Sequence, residues 1–273
     1  MSVLTEALQE AVDYIENHYS TSPEIGVILG SGLGNFIHEM KVEKEIGYTE
    51  IPHFPVSTVV GHSGKLIFGE ISGKKVVAMA GRFHFYEGYG AAEVSFPIRV
   101  MKLLGVHTLL ISNAAGGVNT SFKVGDLMII TDHISLATTN PLIGKNEDSL
   151  GTRFPDMSEP YSKILIEKGK AIARQLGVTV REGVYFGVTG PTFETRAEYK
   201  MINILGGDAV GMSTVQEVIV AVHAGIQVFG MSVITDIGIR EDDNVITHEE
   251  VLQAAAEAEP KFSAIFKELV KAV

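Results

Sequence analysis

The sequence predicts an α/β domain whose sheet is mostly parallel. Short runs rich in β-branched residues alternate with segments of helical periodicity along the chain, and this alternation is typical of βαβ units. A turn-like Ile-Ser-Gly-Lys segment at 71–74 joins two of these runs and predicts an antiparallel hairpin within the sheet. No linker, repeat or low-complexity tract divides the 273 residues, so we expect a single domain over 1–273.

The expected strands are distributed from the first tenth of the chain to its last fifth. Each is a short run of Val, Ile, Leu or Thr bounded by Gly, Pro, Asn or Asp. We expect strands at Ile25–Leu29, Lys65–Glu70, Lys75–Ala80, Thr108–Ser112, Leu127–Thr131, Val184–Thr189, Asp208–Gly211 and Gln227–Ile234.

The expected helices have apolar residues at intervals of three and four. The first lies within Ser2–Tyr19, and the last begins at His248, with an interruption near Pro260. The other expected helices are Glu93–Leu104, Ser162–Leu176, Arg196–Leu205 and Val215–Ala224.

The segment 140–160 is the longest loop-like region, and loops of that length are more often functional than idle.

Composition excludes several classes of function. The formal net charge of -11 argues against nucleic acid as a partner, because binding the phosphate backbone requires a basic surface. The absence of cysteine removes thiolate metal sites and a cysteine nucleophile. No apolar run is long enough to span a membrane, and the acidic N-terminal stretch does not resemble a signal peptide, so we expect a cytoplasmic protein.

Two expected strands end in segments suited to an anion. Gly30-Ser31-Gly32-Leu33-Gly34 frees backbone N–H groups, although a tight strand–helix turn is the commoner reason for an isolated glycine cluster. Arg82 and His84 lie two residues apart, so an extended backbone directs both side chains to one face, where they suit a phosphate oxyanion. Surface ion pairs remain the alternative for these two residues.

Other strand ends carry small residues or helix starts. Asn113-Ala114-Ala115-Gly116-Gly117 permits a close approach to the main chain, by a ligand or by packing. Thr195-Arg-Ala-Glu198 and Thr214-Val-Gln-Glu217 fit the capping-box pattern, which locates Glu194 and Ser213 just before two helices. In an α/β sheet, ligands bind at this rim, beyond the carboxyl ends of the strands.

Three familiar kinds of catalytic site are not indicated. The sequence contains no H-E-x-x-H zinc motif, no G-x-S-x-G nucleophile elbow and no phosphate-binding loop of the ATP-using type. We therefore expect no metal and no cofactor.

The ordered set of motifs resembles the trimeric purine nucleoside phosphorylases. The resemblance covers about residues 25 to 255 and implies a mixed, mostly parallel, partly barrelled sheet flanked by helices. It also implies a homotrimer that cleaves purine nucleosides with inorganic phosphate, releasing free base and ribose 1-phosphate, with the active site near a subunit boundary. The matching segments are 30–34, 61–62, 81–88, 113–117, 190–195, 211–214 and 248–251.

The resemblance further implies a role for each matched residue. The phosphate ligands would be Ser31, His62, Arg82, His84, Ser213 and the backbone of Ala114. The base would be surrounded by Phe193, Glu194, Met212 and Asp236. The ribose would contact Tyr86, Met212 and His248, together with Phe154 lent by a neighbouring subunit. The expected catalytic residues are Glu194, Asp236 and His84.

One departure from the family pattern concerns the choice of base. Asp236 occupies a position where the family usually has asparagine, so we expect inosine and guanosine as substrates, with adenosine also possible. Relatives that cleave 5′-methylthioadenosine carry aspartate in this region, but they lack the counterparts of Glu194 and His248. A catalytically silent nucleoside-binding protein is the other alternative, although binding alone would not require every phosphate ligand.

Overall fold

The computed structural model describes residues 2–59, 63–239 and 246–273. Its helices and strands agree with most of the predicted elements. The helices are α1 (Val3–His18), α2 (Ala91–Leu103), α3 (Lys163–Gln175), α4 (Arg196–Ile204), α5 (Val215–His223) and α6 (His248–Ala272). The strands are β1 (Ile25–Leu29), β2 (Lys41–Gly47), β3 (Lys65–Ile71), β4 (Lys74–Ala80), β5 (Thr108–Gly117), β6 (Leu127–Ile134), β7 (Val180–Gly187), β8 (Ala209–Gly211) and β9 (Gln227–Ile237).

The strands of the described residues form one mixed sheet in the order β2-β3-β4-β1-β5-β8-β7-β6-β9. Strand β9 also pairs with β5, so β5, β8, β7, β6 and β9 close into a barrel. Strand β1 pairs in parallel with β4 and with β5, and β5 pairs in parallel with β9. The prediction of a single α/β domain with a mixed, partly barrelled sheet is confirmed.

The predicted hairpin is also confirmed. Strands β3 and β4 pair antiparallel from Lys65–Ala80 to Ile71–Lys74. Ser72 and Gly73 form the two-residue loop, and both have positive φ angles, 51° and 86°. Two consecutive positive φ angles are the geometry of a type I′ turn, whose twist matches that of the strands it joins.

The predicted interruption of the last helix near Pro260 is wrong. Helix α6 runs through that residue without a break. Phe262, Ile265, Phe266 and Leu269 follow Pro260 at helical spacing, and all four are fully buried. Each such side chain contributes ~1.5–3 kcal/mol on burial, whereas an interior proline costs ~3 kcal/mol. Burial of this face therefore outweighs the local cost of the proline.

Two further differences arise from the ends and edges of the sheet. Strand β2 was not predicted, because it is an edge strand with mostly charged and exposed residues, a common feature of sheet edges. Strand β5 continues through the small residues expected to follow it, up to Gly117. A Cβ at Gly117 would lie 2.7 Å from Ile237, so glycine permits β5 and β9 to stay in contact there.

In the part of the chain that the structure describes, no helix is both long enough and apolar enough to cross a membrane.

Candidate active site

A cavity of about 490 Å³ opens at the carboxyl ends of the central strands. Ser31 follows β1, Arg82 and His84 follow β4, and Ala114 lies in the last part of β5. The cavity therefore lies at the rim where α/β sheets bind ligands. The predicted site residues that line it are Ser31, Arg82, His84, Tyr86, Ala114, Phe193, Glu194, Met212, Ser213, Asp236 and His248.

Arg82 is held by buried hydrogen bonds at one end of this cavity. Its Nε donates to Glu217 Oε1 at 3.1 Å, and one of its terminal nitrogens donates to the Ser112 carbonyl at 2.7 Å and to Ser213 Oγ at 3.2 Å. The side chains of Arg82 and Glu217 are only 1% and 2% exposed. The guanidinium is thus fixed in orientation and shielded from solvent, which strengthens its attraction for an anion.

Ser213 is presented to the cavity by an unusual turn. Thr214 has φ 75° and ψ -50°, and the Val215 N–H donates to the Ser213 carbonyl at 2.8 Å, which makes a three-residue γ-turn. A β-branched residue at positive φ is strained, and such strain is concentrated at functional sites. The turn brings Ser213 Oγ beside Arg82 at the start of α5.

The predicted capping box at Thr214 is only half correct. Glu217 does accept a hydrogen bond from the Thr214 N–H, at 2.8 Å. The Thr214 hydroxyl does not cap α5; it accepts instead from Asn113 Nδ2 at 2.9 Å. The capping box at Thr195 is confirmed in both directions by its contacts with Glu198.

His84 is oriented by a carboxylate that the sequence analysis did not select. Glu87 accepts from the backbone N–H and Nδ1 of His84, at 2.8 and 3.3 Å, and from the backbone and hydroxyl of Thr58, both at 2.7 Å. Burial opposes ionisation of Glu87, but these hydrogen bonds outweigh it and lower the pKa of Glu87 to about 2. Glu87 is therefore a carboxylate that directs Nδ1 of His84 away from any ligand.

A second group of lining residues contains two carboxylates and an aromatic ring. Asp236 is at the end of β9, where Gly116 makes room for it, and is 8% exposed. Burial raises the pKa of Glu194, and the nearby charge of Asp236 adds to that shift. Phe193 is 42% exposed beside them. A flat group with N–H donors on its edge fits between these side chains.

Tyr86, Met212 and His248 lie along the same cavity, where the predicted ribose contacts belong. The Tyr86 ring stacks on His84, with a centroid distance of 4.6 Å, and burial raises the pKa of Tyr86 to about 12. His248 is the first residue of α6, which begins at the Thr247 cap. These three residues therefore share the cavity with the cationic residues and the carboxylates.

Two predicted residues remain to be placed. His62 lies outside the described residues. Phe154 is 84% exposed and lines a different cavity of about 500 Å³, together with Arg153 and Met157. Within one chain, Phe154 therefore does not contribute to the first cavity, and its role in a neighbouring subunit stays a prediction.

Some lining residues were missed because no local signal distinguishes them. Tyr199 lies on α4 with the buried Ile202, and its spacing indicates an ordinary packed face. The other lining residues that sequence reasoning did not select include Thr58, Glu87, Asn113 and Thr235. In the described ranges, no group of three or more acidic or histidine side chains is arranged to hold a metal ion.

Comparison with known proteins identifies the family. The model of the phosphorylase superfamily matches residues 24–271. Purine nucleoside phosphorylase 1 from Geobacillus stearothermophilus is 52% identical over 97% of each chain, and the enzyme from Bos taurus is 45% identical over 98% of this chain and 95% of its own. A Schistosoma mansoni purine nucleoside phosphorylase solved with adenosine has a TM-score of 0.94 at 45% identity, covering 98% of this chain and 97% of its own. This chain therefore belongs to the phosphorylase superfamily and, within it, to the purine nucleoside phosphorylases.

Proposed function

We propose that this chain cleaves inosine and guanosine with inorganic phosphate, accepts adenosine as well, and requires no metal. One observation carries the proposal: a single cavity is lined by a fixed cation with hydrogen-bond donors and, in a separate group of contacts, by two carboxylates. The names of the relatives and the nucleosides bound in the Schistosoma structures support it.

The reaction needs no nucleophile from the protein. A phosphate oxygen attacks C1′ of the ribose, the C1′–N9 bond breaks, and its electron pair leaves with the purine. Positive charge develops on the sugar and negative charge on the departing base. Phosphate bound by Arg82 and Ser213 stabilises the first charge. The second is neutralised when the purine takes up at N7, through solvent, the proton that hydrogen phosphate loses.

The His84–Glu87 pair supports the binding of phosphate. Glu87 accepts a hydrogen bond from Nδ1 of His84 and so orients the imidazole ring, which lines the cavity. This oriented ring contributes a hydrogen bond to the bound phosphate. Ser31 and the Ala114 backbone supply further neutral donors at this end.

A 5′-methylthioadenosine phosphorylase is the second candidate, and Asp236 is the observation that favours it. A carboxylate accepts a hydrogen bond from the 6-amino group of adenine but donates none to a 6-oxo group. Glu194 and His248, which also line the cavity, favour an ordinary nucleoside, since Glu194 accepts from N1–H and His248 suits a 5′-hydroxyl. The same assay distinguishes the two candidates.

We propose further that the protein is a homotrimer in which Phe154 completes the site of a neighbour. Phe154, Leu136 and Ile143 are 84%, 81% and 76% exposed, an unusual concentration of exposed apolar side chains on one segment. A closed ring of identical contacts would cover them. Light scattering should give three times the chain mass; a fully active monomer at micromolar concentration would exclude this arrangement.

The test of the proposed function is base release from inosine, guanosine, adenosine and 5′-methylthioadenosine, with and without phosphate. We expect cleavage of inosine only with phosphate, at an unchanged rate after treatment with a chelator. Full activity in phosphate-free buffer would indicate a hydrolase. Preference for 5′-methylthioadenosine over all the other substrates would select the second candidate, and binding without turnover would indicate a silent binding protein.

A further inference from the structure

The Tyr199 hydroxyl lies between the two carboxylates at the base end of the cavity. Its single hydrogen is shared between two acceptors, the Glu194 carboxylate and Asp236 Oδ2, the latter at a long distance of 3.5 Å. Tyr199 lines the cavity, although only 3% of the residue is exposed. The protein thus presents three hydrogen-bonding groups in a row: carboxylate, hydroxyl and carboxylate.

The packing around Tyr199 keeps its ring in this place. The ring lies in a small apolar cluster with Val118, Phe186 and Ile202. Gly238 follows β9, and a Cβ at that position would lie only 2.1 Å from the ring, so any larger residue would displace the tyrosine. The ring is therefore fixed, and only the O–H bond is free to rotate towards a ligand.

A departing 6-oxopurine presents the complementary row along one edge. N1–H is a donor, O6 is an acceptor, and the protonated N7 is a donor. A carboxylate at each end accepts from N1–H and N7–H, but neither carboxylate donates to O6. The only matching donor position in the row is the one between them, which Tyr199 occupies.

We propose that Tyr199 determines specificity by donating a hydrogen bond to the 6-oxo group of the purine. This proposal rests on the proposed function. Asparagine at position 236 could accept from N7–H and donate to O6 with one side chain. Here Asp236 performs the first task and Tyr199 the second.

The same hydroxyl is compatible with a 6-aminopurine. With adenine, its oxygen accepts from the 6-amino group while its hydrogen remains on a carboxylate. Asp236 also accepts from that amino group, so adenosine depends less on Tyr199 than inosine does. Tyr199 therefore favours 6-oxopurines without excluding 6-aminopurines.

The experiment measures kcat/KM for inosine and adenosine in four proteins: the wild type, Tyr199→Phe, Asp236→Asn and the double variant. Loss of a buried hydrogen bond of this kind changes a rate about tenfold. We expect the inosine-to-adenosine ratio to fall about tenfold in Tyr199→Phe and to rise about tenfold in Asp236→Asn. In the double variant the asparagine amide replaces the lost donor, so the ratio should return to the wild-type value or exceed it.

Tyr161→Phe is the matched control, because it removes another buried hydroxyl, one that bonds His133 and does not line the cavity. It should leave the ratio unchanged. If Tyr199→Phe keeps the ratio within threefold of the wild type, or slows both nucleosides equally without recovery in the double variant, Tyr199 does not read position 6. Failure of the wild type to release base from any nucleoside would instead overturn the proposed function.

Discussion

Two carboxylates line the same cavity, and their pKa values move in opposite directions. Glu87 lies where we propose that phosphate binds, with Arg82, His84 and Ser213 (the proposed phosphate end); it accepts four hydrogen bonds from His84 and Thr58, and its pKa falls to about 2. Glu194 lies where we propose that the purine binds, with Asp236 and Tyr199 (the proposed base end); burial raises its pKa, and the Asp236 charge raises it further. The hydrogen bonds that Glu194 accepts, from its own backbone and from Tyr199, only partly oppose that shift.

This difference matches the task of each end. Phosphate is the same in every turnover, so the phosphate end can be fixed in advance by contacts within the protein, such as that between Arg82 and Glu217. The base varies, and the groups at the base end keep hydrogen-bonding capacity for it. We therefore expect changes at the phosphate end to affect all substrates alike, and changes at the base end to affect them unequally.

Arg82→Ala should have the largest effect. Loss of this charged donor should lower kcat/KM for phosphate about a thousandfold, with inosine and adenosine affected equally. The variant should also be ~3–5 kcal/mol less stable, because Glu217 is left as a buried charge without its partner. Steady-state kinetics with both nucleosides and chemical denaturation measure these effects.

The double variant Arg82→Ala/Glu217→Gln separates binding from folding. It removes the uncompensated charge, so it should regain much of the lost stability without regaining activity. Recovery of both would mean that Arg82 acts only on the fold.

The phosphate end was also the easier end to predict from sequence. Its residues follow strands at glycine-rich turns. Arg82 and His84 are two residues apart, so the local pattern alone predicted that their side chains lie on the same face of the backbone. Glu87 was within the same segment but could not be selected, since its role depends on Thr58, which is distant in sequence. Long-range contacts of this kind have no local signature.

At the base end, prediction from sequence is limited even more by long-range contacts. Tyr199 is only five residues after Glu194 in the sequence. Its position in the cavity nevertheless depends on the glycine at 238, just after β9, because any side chain there would displace the ring. Helix α6 is a similar example. Pro260 predicted a break in this helix, but burial of the apolar side chains after Pro260 outweighs the unfavourable helix propensity of proline. Local propensity and motif therefore predicted the positions of most elements, while tertiary packing decided the exceptions.

Glu194→Ala should have the next largest effect, and an unequal one. If Glu194 accepts from N1–H of hypoxanthine, its removal should lower kcat/KM for inosine at least a hundredfold, since each 1.36 kcal/mol lost in the transition state is about tenfold in rate. Adenosine, which has no proton on N1, should lose much less. The measurement is kcat/KM for both nucleosides, together with the melting temperature.

Glu198→Ala is the control on the same segment. It removes the cap that fixes the start of α4, through the 2.7 Å contact with the Thr195 N–H, but Glu198 does not line the cavity. It should lower the melting temperature and leave the inosine-to-adenosine ratio intact. A change below threefold for inosine in Glu194→Ala, at an unchanged melting temperature, would show that Glu194 does not contact the base.

The smallest expected effect is the pH dependence of that ratio. Because the pKa of Glu194 is raised, Glu194 takes up a proton at a higher pH than an ordinary glutamate, whose pKa is about 4.3. Protonation removes the acceptor for N1–H of inosine and creates a donor for the unprotonated N1 of adenosine. The inosine-to-adenosine ratio of kcat/KM should therefore fall severalfold as the pH decreases from neutral through the raised pKa of Glu194. Titration of phosphate and of groups at the phosphate end acts on both nucleosides and cancels in the ratio, and Glu87, with a pKa of about 2, stays ionised throughout.

Glu194→Gln should give a ratio independent of pH, whereas a constant ratio in the wild type would contradict the assignment of N1 to Glu194.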